Sequence, residues 1–242
     1  TADLGKDSGG TTVGFVYLVS GTELDTADVA DGVDDEIISV SNIEALTASY
    51  KVSAANDQDR LSFGGNADLD GDGTSDLLFN SSYADDSAEA DVGASYLLMS
   101  SALASTDAAD GATDGLVDVT HVAAQTGSYK IVGIGAGDKT RGRFINDING
   151  DGLKDLAFGS YFSDINGDNA GTSWILFTDK LVDIDAADGA TDGVISLEYA
   201  NTTVSDDTSS KADLVMMWAD WSDTALGTTG KMTATVDVQN AG

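Results

Sequence analysis

The sequence predicts an all-β protein of β-propeller type, built from blades of four short antiparallel strands, and three observations predict it. The chain repeats itself with a period near 79 residues. Each period reads as short apolar runs separated by Asp/Gly turns. No stretch carries a sustained 3.6-residue apolar period, while Gly, Thr, Ser and Val are abundant, so helix is poorly supported.

The repeat is plainest at Asp107-Ala-Ala-Asp-Gly-Ala-Thr-Asp-Gly115, which recurs as Asp185-Ala-Ala-Asp-Gly-Ala-Thr-Asp-Gly193, with a looser copy from Asp28 to Asp35. Other landmarks keep the spacing: Ser49-Tyr-Lys-Val52 against Ser128-Tyr-Lys-Ile131, and Asp68–Leu77 against Asp147–Leu156. Within a period an apolar-polar strand (Ser49 to Val52; Ser128 to Val132) leads to an Asp/Gly loop. A short apolar run follows (Asp76-Leu-Leu-Phe79; Asp155-Leu-Ala-Phe158). After a second polar loop comes Gly93-Ala-Ser-Tyr-Leu-Leu-Met99, matched by Gly171-Thr-Ser-Trp-Ile-Leu-Phe177 and by Gly14-Phe-Val-Tyr-Leu-Val19. Four strands per unit suit a propeller blade; a β-sandwich or β-solenoid of similar spacing is the alternative.

The whole of 1–242 is expected to be one repeat domain: a partial unit over about 1–50, units with a metal loop over 51–128 and 129–207, and a partial unit without one over 208–242. In the last, Ala212–Trp218 aligns with Lys154–Phe158 and Gly230–Val236 with the Gly171 strand. A closed propeller takes about 4 to 8 blades. The chain is therefore expected to be an incomplete propeller, part of something longer, or one whose partial terminal units complete one another within a chain or between chains.

The net charge of −31 comes from 42 acidic against 11 basic residues, and the acids are nearly all Asp; only Glu23, Glu36, Glu44, Glu89 and Glu198 are glutamate. Asp favours turns and presents a short, stiff carboxylate to a cation. Self-repulsion on this scale calls for bound divalent cations or high salt to offset it. It excludes nucleic acid as a partner, since a phosphate backbone requires clustered Lys and Arg. No apolar run of about 18 residues is present, so membrane insertion is excluded too. No signal-peptide pattern opens the chain at Thr1, and the sequence reads as a mature piece. There is no Cys, hence no disulfide, thiolate metal site or Cys nucleophile.

The chemistry lies in two nine-residue loops. Asp68-Leu-Asp70-Gly-Asp72-Gly-Thr74-Ser-Asp76 places side-chain oxygens at positions 1, 3, 5 and 9 and the backbone carbonyl of Thr74 at position 7. Asp147-Ile-Asn149-Gly-Asp151-Gly-Leu153-Lys-Asp155 repeats it with one neutral amide and Leu153 at position 7. Calcium takes six to eight hard oxygens in a flexible shell, and alternating short side chains folded over Gly provide them; magnesium's near-octahedral demand fits less well. Position 12, a Glu in an EF-hand, is Phe79 or Phe158, and strand-like runs follow, so an EF-hand is excluded. The expected metal is Ca2+ at two sites. A third, weaker candidate is Asp164-Ile-Asn166-Gly-Asp168, which has the alternation but lacks later ligands.

Asp-x-Asp/Asn-Gly-Asp-Gly-x-x-Asp-Leu, followed by Gly-x-x-Tyr/Trp and two apolar residues, resembles the FG-GAP repeats of integrin α-subunit propellers and of their bacterial secreted relatives. The resemblance spans nearly the whole chain. It implies one calcium ion per loop between the first two strands of a blade, on Asp68, Asp70, Asp72 and Asp76 and on Asp147, Asn149, Asp151 and Asp155. It also implies an extracellular setting, secreted or at the cell surface. Departures exist: Phe63-Gly64 keeps the Phe-Gly element but its counterpart is Gly142-Arg143, and Gly-Ala-Pro survives only as Asn80-Ser-Ser and Gly159-Ser-Tyr.

No catalytic set is evident. His121 lies in an alternating segment and reads as a strand residue. Asp107, Asp110 and Asp114, with Asp185, Asp188 and Asp192, are spaced for turns more than for chelation. Trp174 and Trp218 read as core, while Trp221 could stack a sugar. The expected function is a non-enzymatic calcium-stabilised adhesion or scaffold module with a protein or glycan partner. The alternatives are an accessory domain of a larger secreted enzyme or toxin, or a subunit of an extracellular filament or surface layer.

Overall fold

Short runs of apolar and β-branched residues, stopped by Gly and Asp turns, form the strands of the computed structural model, which describes residues 2–6, 12–86, 89–165 and 167–200. In chain order these are β1 (Ala2–Lys6), β2 (Thr12–Leu18), β3 (Tyr50–Ser53), β4 (Ser62–Ala67), β5 (Asp76–Ser81), β6 (Ala94–Leu98), β7 (Leu116–Asp118), β8 (Tyr129–Val132), β9 (Arg141–Phe144), β10 (Leu156–Ser160), β11 (Thr172–Leu176) and β12 (Val194–Ser196). The α-helices among the described residues are α1 (Leu24–Asp28), α2 (Val40–Glu44), α3 (Leu103–Asp107) and α4 (Leu181–Asp185), each a little over one turn. The fold is all-β, and among the described residues no helix is long and apolar enough to cross a membrane.

The strands form three sheets ordered β1-β2-β3-β7, β12-β8-β6-β5-β4 and β11-β10-β9. Neighbours are antiparallel except at two places. There, β7 joins β3 in parallel, with Val52 opposite Val117, and β12 joins β8 in parallel, with Ile131 opposite Ile195. Each of the first two sheets is thus completed by a strand that the following repeat sends back to it. No closed ring of sheets forms among the described residues, and the partial unit at 208–242, with Trp218 and Trp221, lies outside them.

The strand before the first Asp/Gly loop, residues 68–76, is not the one read from the sequence. Tyr50–Ser53 pairs with β2 and β7, and β4 is inserted ahead of the loop. Its sequence, Ser-Phe-Gly-Gly-Asn-Ala, has no apolar alternation, and its pairing with β5 is bulged between Phe63 and Gly65. Gly64 is demanded by packing: a Cβ there would lie 2.6 Å from Asn80 Nδ2. His121 also differs from expectation; β7 stops at Asp118, and His121 ends a short helical turn begun by Val119.

The core runs through all three sheets. Every residue of β6, the middle strand of the five-stranded sheet, is buried, which accounts for a continuous apolar run where a one-sided strand would alternate. Leu78, Phe79, Ile131, Leu156, Phe158, Trp174 and Leu176 belong to the same cluster.

Candidate metal centre

The nine-residue loop 68–76 joins β4 to β5, and its shape follows from its alternation of Asp and Gly. Gly71 and Gly73 take φ of +77° and +86°, a region costly for other residues, with no atom crowding their open side. The turns bring backbone N–H groups onto the carboxylates. Asp68 Oδ1 accepts from Gly71 at 2.8 Å and its Oδ2 from Gly73 at 3.0 Å. Asp70 Oδ1 accepts from the Asp72 N–H at 3.1 Å. Asp72 Oδ1 accepts from both the N–H and the hydroxyl of Thr74, at 2.7 and 2.6 Å.

Asp76 closes the loop from the first residue of β5. It is fully buried, and its Oδ2 accepts from the Leu69 N–H at 2.8 Å while its Oδ1 accepts from the Ser100 N–H at 2.9 Å. Asp76 therefore ties the loop's start to the segment leaving β6. Burial pushes its carboxyl above the usual range, the Ser100 and Leu69 N–H groups pull it down, and the charges of Asp70 and Asp72 push it up again.

Asp68, Asp70 and Asp76 each offer an oxygen, and these lie within 4.8 Å of one another, the one such acidic group among the described residues. Three hard oxygens so close repel until a cation intervenes, and this donor set could hold a metal ion. Asp72 stays outside the trio, its carboxylate engaged by Thr74 at position 7.

The loop 145–155 between β9 and β10 repeats each of these bonds from a backbone N–H. Asp147 accepts from Gly150 and Gly152, at 2.6 and 2.8 Å. Asn149 Oδ1 accepts from the Asp151 N–H at 3.2 Å, and Asp151 Oδ1 from Leu153 at 2.7 Å. Asp155 accepts from Ile148 at 2.7 Å and from Thr178 at 3.2 Å. The differences are Leu153, which lacks the hydroxyl that Thr74 gives to Asp72, and Asn149, in the place of Asp70. Its Nδ2 donates to Asp151 Oδ2 and to Asp179 Oδ1, each at 3.1 Å, and it removes one carboxylate from the group.

The sequence reading missed Ser100, Thr178 and Asp179. The only signal was that Met99-Ser100-Ser101 and Phe177-Thr178-Asp179 follow equivalent strands; nothing marked them as neighbours of a loop more than twenty residues earlier. At the third candidate, Asp164 Oδ1 accepts from the Asn169 N–H at 2.6 Å and Asp168 Oδ1 from Asn169 Nδ2 at 2.9 Å, while Asn166 lies outside the described residues. Asp110, Asp114, Asp188 and Asp192 each accept from an N–H two residues on, the bond of an Asx turn. Trp174 is buried in the core.

Models of known protein families give no match to the chain, and neither do curated proteins.

Proposed function

We propose that the chain is a non-enzymatic, calcium-stabilised adhesion or scaffold module of an extracellular surface, its sheets acting as propeller-type blades. The observation that carries this reading is the pair of nine-residue loops whose corresponding side chains accept from corresponding backbone N–H groups, one of which gathers Asp68, Asp70 and Asp76. An ion in each would clamp the first two strands of its sheet to the segment leaving the third, through Asp76 and Asp155. A large negative charge with few cations favours the same reading, since each divalent ion offsets two charges where repulsion is greatest. Ligands of the first site would be Asp68, Asp70 and Asp76, with Asp72 and the Thr74 carbonyl completing the shell; at the second, Asp147, Asn149, Asp151, Leu153 and Asp155 take the same places. The rigid surface so formed would meet a protein or glycan partner.

Titration calorimetry with calcium on the metal-free protein tests it. Two ions per chain are expected, falling to one in Asp68→Ala; no binding heat, together with an unchanged melting temperature in EDTA, would remove calcium from the account.

A further inference from the structure

Tyr17, Lys51 and Leu116 stand opposite one another on β2, β3 and β7, so their side chains form a row on one face of the first sheet. Tyr96, Lys130 and Val194 make the same row on β6, β8 and β12. The chain packs on the two rows differently. In the second sheet the segment 119–125 presses on the turn into β12, where a Cβ on Gly193 would lie 2.1 Å from the Ala123 carbonyl oxygen. At Gly115, in the matching turn into β7, the nearest atom among the described residues is the Ser49 carbonyl oxygen, at 2.9 Å. Glu44, which takes the place of Ala123, does not come within 4 Å of that point. α2 thus stands off the first sheet, and a cavity of about 230 Å³ lies between them.

The polar groups that line this cavity are held in place by one another. Glu44 Oε1 accepts from Tyr17 Oη at 2.9 Å and from Lys51 Nζ at 2.7 Å, and the same ammonium lies 4.1 Å from the centre of the Phe15 ring. Asp114 is fixed by the Leu116 N–H, which its Oδ1 accepts at 3.1 Å. Ile43, Leu46 and Leu116 add apolar surface to the same walls, beside the rings of Tyr17 and Tyr50. An ammonium, two carboxylates and aromatic rings therefore face one small space. A cationic ligand would meet Lys51 there, and an anionic one Glu44 and Asp114, in a chain of net charge −31.

We propose that the cavity between α2 and the first sheet binds one neutral pyranose ring of a glycan, with Glu44, Lys51 and Asp114 on its hydroxyls. A sugar hydroxyl both gives and takes a hydrogen bond, so adjacent hydroxyls satisfy a carboxylate and an ammonium set side by side. The C–H face of the ring suits the aromatic and aliphatic side chains. The volume is below the roughly 300 to 1,000 Å³ of sites for drug-sized ligands, which fits a single sugar unit. In the second sheet Ala123 stands where Glu44 does, so the acceptor is missing from the matching place. The inference rests on the function proposed above only in taking a glycan as the partner, and it does not depend on the ion in the loops.

Amide chemical shifts of the nitrogen-15-labelled chain, titrated with the methyl glycosides of glucose, galactose and mannose in millimolar calcium, test this. At least one of the three is expected to shift the Tyr17, Lys51 and Leu116 amides saturably, with a dissociation constant below about 10 mM. Glucuronate and glucosamine should bind at least about tenfold more weakly than that sugar, and Glu44→Gln should weaken its binding by a similar factor at an unchanged melting temperature. No saturable shift with any of the three up to about 100 mM, shifts confined to other parts of the chain, or equal binding by Glu44→Gln would each overturn the proposal. Calcium calorimetry on the same samples separates the two readings. Calcium bound without sugar overturns this one alone, and sugar bound without calcium overturns the calcium clamp alone.

Discussion

The side-chain amide of Asn80, in β5, is bonded at both ends to the backbone of Gly142, in β9: Nδ2 donates to the Gly142 carbonyl at 3.1 Å, and Oδ1 accepts from the Gly142 N–H at 2.8 Å. Ser95 in β6 donates to the same Oδ1 at 2.7 Å. Asn80 thus behaves as a strand's peptide group, joining the second sheet to the third inside the core. Gly142 has to be glycine, because a Cβ there would lie 2.6 Å from the Phe158 ring. The loss of Phe-Gly at this position is thereby explained: Phe158 fills the space, whereas in the second sheet Phe63 stands opposite Phe79.

Asn80→Ala is expected to destabilise the protein by about 2 to 4 kcal/mol, since it removes two backbone partners in a buried site. Urea unfolding measures it. A loss below about 0.5 kcal/mol would mean that the bridge contributes little.

Two glycines with similar backbone angles should respond very differently to alanine. Gly93 has φ +85°, and a Cβ there would sit 2.3 Å from the Thr140 backbone N, so Gly93→Ala should cost more than about 4 kcal/mol or prevent folding. Gly189 has φ +94° with nothing within 4 Å, so Gly189→Ala should cost only the conformational strain of about 1 to 2 kcal/mol. Equal losses would show that backbone angle, not the close approach of the Thr140 backbone, sets the requirement at Gly93.

Asp59, only 3% exposed, accepts from the Asn56 N–H at 3.0 Å in the turn before β4. Burial pushes its carboxyl up to about 6, and the charge of Asp85 adds to this, against the opposing pull of Asn56. A folded-state value above the unfolded one means that the native state holds the proton more tightly. Its contribution to stability is therefore full below the unfolded value near 4 and is lost as pH rises through about 6. Asp59→Asn, which keeps the acceptor oxygen, should gain on the parent as pH rises from 4 to 6, by up to about 1.4 kcal/mol per pH unit. Unfolding both proteins at pH 4.5 and pH 7 in constant calcium checks the sign. A difference independent of pH would show that the carboxyl titrates normally.

Calcium at about a hundred times its dissociation constant should stabilise the fold by about 2.7 kcal/mol per site, a rise in melting temperature of about 5 to 10 °C that EDTA reverses. Asp70→Asn gives the first loop the donor set of the second, since asparagine can still accept from the Asp72 N–H. The first site should then bind more weakly, approaching the affinity of the second, and calorimetry on the variant and parent makes the comparison. A tighter first site would mean that carboxylate repulsion outweighs the added charge.

The repeat, the all-β class and both Asp/Gly loops were legible in the sequence because each rests on neighbours in the chain. Asp68 and Gly71, or Asp147 and Gly150, are three residues apart, and an Asx-type bond between them needs no help from elsewhere. β4 was not legible: its packing requires glycine at position 64 and a bulge after Phe63, which erases the alternation that marks a strand. The return of β7 and β12 to the preceding sheet was hidden for another reason. Leu116-Val117-Asp118 looks like any short strand, and a three-residue parallel strand carries no record of its partner.

Local bonding and composition, both written along the chain, determined that this protein would be an acidic, repeating β-structure with carboxylate loops. Tertiary packing alone decided which sheet each strand completes, that Asp76 converges with Asp68 and Asp70, and that Asn80 links two sheets. Those outcomes depend on groups distant in sequence competing for the same few hydrogen-bonding and apolar surfaces, and that competition is settled only when the sheets come together.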